Sequence, residues 1–181
     1  MPAGETEAVL EAPLGDAWPF GGRAVHRVRV AADSLTATLE VYADQRPFPA
    51  IAGWHPWFRR ALHGPAGSVG DPVQLDVRAR GMLRRGDDYI PTGDVVPVPA
   101  EPWDDCFVGL ASPPVVRWPG AFEVTIESDA AYWVVYTMDP AGVCIEPQTG
   151  PPNGLNTGEF TLVEPGRPLV ATMKLRWRRL G

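Results

Sequence analysis

The segment Gly53-Trp54-His55-Pro56-Trp57-Phe58 sets a single imidazole between two indoles. Histidine titrates closest to neutral pH and so can carry a proton to or from a ligand, while an indole offers a flat apolar face. Pro56 biases His55 toward an extended backbone and fixes the next φ, which aims the ring. Two further segments carry functional groups, Trp103-Asp104-Asp105-Cys106-Phe107 and the run from Cys144 through Glu146, Pro147 and Gln148 to Gly154. Together they supply an imidazole, the carboxylates of Asp104, Asp105 and Glu146, the carboxamide of Gln148, and the indoles of Trp54, Trp57 and Trp103. That is an acid/base set beside stacking surfaces, the make-up of a sugar pocket.

Glu146 follows the apolar strand end Val143-Cys144-Ile145, and desolvation from that side would raise its pKa toward the range of a working base. Asp104 and Asp105 are neighbours, so in an extended chain they face opposite sides and only one points into a pocket. Each group also has a plainer reading: His55 packed between its indoles, Glu146 exposed at a strand end, an aspartate capping its own turn. His26 shares the valine face of a strand pattern and reads as interior; His63 lies in a Gly/Pro loop and reads as solvated.

Spacing argues against other chemistries. The three histidines have no i, i+4 pair and Cys106 lies far from Cys144, so no zinc pattern is present and no metal is expected. Gly64 and Gly67 neither follow a clear strand nor open a helix, which excludes a phosphate-cradling loop, and the chain lacks a GxSxG elbow. A glycosidase pairing Asp104 or Asp105 with Glu146 would satisfy the two-carboxylate requirement but leaves His55 without a part.

The elements that must position these groups are short strands. Period-two alternation runs through Ala24–Val30, Leu35–Tyr42, Val73–Ala79, Phe122–Glu127 and Leu169–Trp177, and the first two are joined by a connection short enough for a hairpin. Tyr132–Met138 is continuously apolar and reads as a central strand covered on both faces. Twenty-one prolines and nineteen glycines punctuate the chain, and no window holds a helical period. The fold class is therefore all-β, two packed antiparallel sheets forming a sandwich. Residues 1–12 carry three glutamates and no period, and read as a flexible N-terminal segment ahead of a single domain over 13–181.

With 181 residues the chain can bury one substantial core. A formal charge of -6 provides no basic field for nucleic acid. No apolar run is long enough to span a bilayer and the start has no signal-like h-region, so the expected location is cytoplasmic, with both cysteines as free thiols.

Four segments, in order, resemble the aldose 1-epimerase (galactose mutarotase-like) family. Gly53–Phe58 resembles its His-Pro-aromatic-Phe segment, Tyr89-Ile90-Pro91-Thr92-Gly93-Asp94 its Pro-Thr-Gly turn, Asp104–Phe107 its Asp-x-x-Phe, and Cys144–Thr149 its glutamate segment. The resemblance implies a large antiparallel β-sandwich and reversible conversion of α and β anomers of an aldose, with a small-molecule sugar as partner and no cofactor. It makes His55 the general acid at the ring oxygen and Glu146 the base at the anomeric hydroxyl. Asp104 would hold sugar hydroxyls, with Trp54, Trp57 and Gln148 as further substrate-binding residues. Neutral sugars suit the acidic chain best, with Arg59 and Arg60 keeping a sugar phosphate open. The family's N-terminal portion, with further strands, an arginine and another histidine at the sugar, has no counterpart here. The resemblance thus covers roughly the C-terminal two-thirds of the family domain, and leaves a non-catalytic sugar-binding module as the alternative.

Overall fold

The structure is a computed structural model that describes residues 6–64 and 67–180. In chain order its strands are β1 Thr6–Pro13, β2 Arg23–Val30, β3 Ser34–Tyr42, β4 Phe48–Ala50, β5 Trp57–Arg59, β6 Leu62–Gly64, β7 Gly67–Val69, β8 Gln74–Asp76 and β9 Ala79–Arg85. They continue with β10 Pro91–Val96, β11 Asp104–Leu110, β12 Val115–Trp118, β13 Phe122–Ser128, β14 Tyr132–Tyr136, β15 Gly142–Gln148, β16 Thr161–Val163 and β17 Leu169–Arg179, and one helical turn, α1, spans Gly154–Thr157. No helix among the described residues is long and apolar enough to cross a membrane.

Alternation builds two antiparallel sheets. The seven-stranded sheet runs β1-β2-β3-β17-β13-β12-β8 and the six-stranded sheet runs β10-β9-β11-β14-β15-β5. The inward residues of the first, Ala37, Val116, Val124, Ile126 and Met173, meet Phe107, Trp133, Val135 and Ile145 of the second in one buried cluster. A second cluster forms around Phe48, Val163, Leu169 and Ala171. This is the sandwich that the strand periodicity predicts, its core made by every second residue of each strand.

Three details depart from the sequence reading. The N-terminal segment is not a flexible lead: Thr6–Pro13 pairs residue for residue with β2, from Thr6 opposite Val30 to Pro13 opposite Arg23. All eight of its residues are exposed, so neither face carries an apolar period for the eye to find. Main-chain bonds hold it, with the ion pairs Glu11–Arg23 at 3.1 Å and Glu7–Arg29 at 3.7 Å. The folded domain thus reaches back at least to Thr6, and residues 1–5 lie outside the described ones. Val73–Ala79 is not one strand, because β8 belongs to the seven-stranded sheet and β9 to the other, the chain crossing at Val77–Arg78. In β14, Trp133 and Val135 are buried, whereas Tyr132, Val134 and Tyr136 turn to the opposite, partly open face.

That outer face of the six-stranded sheet is where the polar groups gather. Register sets them in rows: Asp104 stands opposite Tyr136, Tyr136 opposite Cys144, and Cys144 opposite Trp57. The next row is Cys106, Val134 and Glu146, and the one after it Val108, Tyr132 and Gln148, closed by a bridge from Gln148 to Gly53.

Candidate active site

His55 reaches this face because its segment lies against the end of β15. Trp54 N–H donates to the Pro147 carbonyl at 3.2 Å, and a Cβ on Gly53 would stand 2.7 Å from that oxygen and 2.9 Å from Gln148 Cγ. Only glycine allows the approach. Along the extended chain, His55, Trp57 and Arg59 then face out while Trp54 and Phe58 face in.

The outward imidazole meets the carboxylate at once. His55 Nε2 lies 3.2 Å from Glu146 Oε1, with the His55 side chain 59% exposed and that of Glu146 only 7%. The ring stacks on Trp57, with centroids 5.6 Å apart and planes within 14°, and Trp57 meets Tyr136 edge-on. Gly142 makes room for the indole, since a Cβ there would lie 2.8 Å from Trp57 Cε3. Burial holds the Glu146 pKa above the usual carboxylate value, opposed by His55 and by a long hydrogen bond from Gln148 Nε2 to Oε2 at 3.5 Å, and reinforced by the charge of Asp104.

Asp104 is itself anchored. Arg85 Nη1 lies 3.5 Å from Asp104 Oδ2 and Arg85 Nε lies 3.0 Å from Asp105 Oδ1, so the exposed Asp104 and the buried Asp105 share one guanidinium. These residues, with Tyr89, Cys106, Val134 and Pro152, line a hollow of about 280 Å³ on the face that carries Glu146. A larger cavity of about 730 Å³ around Arg80, Ser112, Tyr132 and Glu159 includes neither His55 nor Glu146. If this surface turns over the sugar that the sequence resemblance implies, replacing Arg85 by Ala should leave Asp104 loosely held and raise KM roughly threefold to tenfold, with kcat changed less, as read by initial-rate polarimetry.

Of the residues singled out from sequence, the fold brings His55, Glu146, Asp104, Trp57 and Gln148 to one surface. Trp54 instead turns inward: it is partly buried against both core clusters and its Nε1–H donates to His26 Nε2 at 3.4 Å. Trp103 is partly buried, edge-on to Phe107 at 5.4 Å, with its Nε1–H donating to the Pro99 carbonyl at 2.9 Å. Arg60 spends its guanidinium on the carbonyls of Thr137 and Asp139. Cys106 and Cys144 are free, buried thiols, each pushed up to about 12, chiefly by burial.

A family model for aldose 1-epimerase matches residues 3–176. The chain belongs to the aldose 1-epimerase family. Solved structures agree on the fold of this family member. A galactose mutarotase-like protein from Clostridium acetobutylicum superposes with a TM-score of 0.79 at 13% identity, over 99% of this chain and 64% of its own. One from Lactobacillus casei ATCC 334 gives 0.73 at 17% identity, over 95% and 70%, and a protein from Synechocystis sp. PCC 6803 gives 0.73 at 21%, over 99% and 66%. The chain thus spans about two-thirds of the length of these relatives. No match was found among curated proteins.

The epimerase fold also reveals groups that the sequence reading passed over. Tyr136 was hidden in an apolar run, although its alternation with Val135 was a signal that one face carries hydroxyls. Arg85 lay in a stretch without apolar alternation, and Cys144 looked like strand filler. Cys144, His55 and Glu146 bring one donor atom each to within 4.8 Å of one another, which no spacing along the chain foreshadows.

Proposed function

We propose that this chain interconverts the α and β anomers of an unphosphorylated aldose. The contact between His55 and Glu146 at 3.2 Å carries the reading. O1 and O5 of a pyranose are both bonded to C1, so an acid and a base that serve them must stand side by side. Glu146 takes the proton from the O1 hydroxyl and His55 delivers one to O5. The C1–O5 bond breaks, C1 becomes an aldehyde, rotation about C1–C2 exposes its other face, and reclosure returns both protons. Asp104 holds ring hydroxyls, Trp57 supplies the apolar wall, and Gln148 steadies the base.

Several observations support this assignment. Glu146 is shielded beside the buried Val143, Cys144 and Ile145, and its raised pKa suits a group that must accept and return a proton. The anionic chain and the commitment of Arg60 to backbone carbonyls favour a neutral sugar. Two buried free thiols fit a reducing compartment, in keeping with a cytoplasmic role in carbohydrate metabolism.

The test is polarimetry of freshly dissolved α-glucose and α-galactose with the purified chain. Acceleration over buffer is expected, and no acceleration despite calorimetric sugar binding would replace the isomerase by a binding module. The pH profile adds a sign. Glu146 works ionised, so the rate should climb with pH through a value above the usual carboxylate range. Asp104→Asn removes a charge that raises this pKa and should move the limb to lower pH.

A further inference from the structure

We propose that His55, Cys144 and Glu146 form a site for one thiophilic divalent cation of the zinc class, and that such an ion arrests anomerisation. The binding rests on geometry alone; only its effect on turnover rests on the function proposed above.

The three residues bring one donor atom each to within 4.8 Å of one another, and His55 Nε2 and Glu146 Oε1 are already 3.2 Å apart. Zinc bonds of about 2.0–2.3 Å in a tetrahedron set ligand atoms about 3.3–3.8 Å apart, so an ion draws this triangle together by no more than about 1.5 Å. The rigid part of the site is in place. Cys144 and Glu146 are two apart on β15 and share its outer face, held between β14 and β5. His55, whose side chain is mostly exposed, closes the solvent side.

Cys144 decides the class of ion. Imidazole with carboxylate accepts many divalent ions, but a thiolate selects zinc, cadmium or cobalt over magnesium and calcium. Three protein ligands leave a fourth position for water. Coordination forms one metal–sulfur bond and the thiol proton passes to solvent. The ion then occupies the imidazole nitrogen and the carboxylate oxygen that proton transfer needs, so its binding and sugar turnover exclude each other.

Cobalt(II) added to the full chain tests the site. One equivalent should bind with the intense visible bands of four-coordinate cobalt and a near-ultraviolet thiolate-to-cobalt band, and zinc should displace it. Cys144→Ala should abolish the near-ultraviolet band and weaken binding at least about tenfold, whereas Cys106→Ala should keep both. X-ray absorption at the zinc edge of the unsubstituted protein needs no variant to fold, and should show one sulfur among nitrogen and oxygen neighbours. A zinc shell without sulfur, or a thiolate band that survives Cys144→Ala, overturns the site. Anomerisation that persists with zinc bound overturns the inhibition. A cobalt site in a protein that never accelerates mutarotation overturns the proposed function and leaves the ion site standing; the reverse result removes the ion site alone.

Discussion

With Glu146 as the proposed base, Glu146→Gln is expected to lower the anomerisation rate about 100- to 10,000-fold, the range contributed by a positioned general base, while the protein stays folded. The substitution keeps the shape of the side chain and removes only its ability to accept a proton. Its effect on stability should run the other way. The folded state holds the Glu146 pKa above its unfolded value because burial disfavours the charge. The stability it contributes is therefore fully present below the usual carboxylate pKa and is lost as pH rises through the raised value. At a pH above that raised value the native protein carries an ionised, largely buried carboxylate, and there the glutamine variant should melt at an equal or higher temperature. Polarimetry with a thermal scan checks both arms. A variant with native melting and undiminished turnover would remove Glu146 from the mechanism. Loss of activity with a gain of stability is the expected mark of a group kept for chemistry at the expense of the fold.

Phe107→Ala should destabilise the domain by about 3–5 kcal/mol, the range for emptying a fully buried phenylalanine site. Phe107 is fully buried in the main cluster and meets Trp103 edge-on, at the middle of β11 between β9 and β14. Its neighbours along the strand, Asp104 and Cys106, point to the other face and line the hollow beside Glu146. The strand therefore couples core and site. Urea unfolding should show the full loss, whereas Phe107→Leu should cost about 1 kcal/mol because most of the volume is kept. An alanine variant as stable as the parent would mean that the two sheets do not pack through this residue.

Much of this was legible in the chain itself. Alternation is a local property, and where one strand face is buried and the other open it announces the strand directly, as in Arg23–Val30, Ser34–Tyr42, Phe122–Ser128 and Leu169–Arg179. It failed where the physical condition failed. Thr6–Pro13 has no buried face, so its acidic residues looked like a frayed end although β2 holds them in register. Three-residue strands such as β5 and β8 are too short to show a period. Trp54 and Trp57 were equivalent on paper because both flank His55. One faces the core and the other the site, since they stand an odd number of positions apart in a chain whose side chains alternate.

The sequence by itself determined the all-β class, the aldose 1-epimerase resemblance, and the residues with acid/base chemistry to offer, because residue type and short-range pattern are properties of the chain. Only the tertiary structure decided which of them meet. Long-range strand register, not spacing, sets Glu146 against His55, gives Asp104 and Asp105 a common arginine, and places Cys144 opposite Trp57. A one-residue shift of that register would turn every one of these side chains to the opposite face.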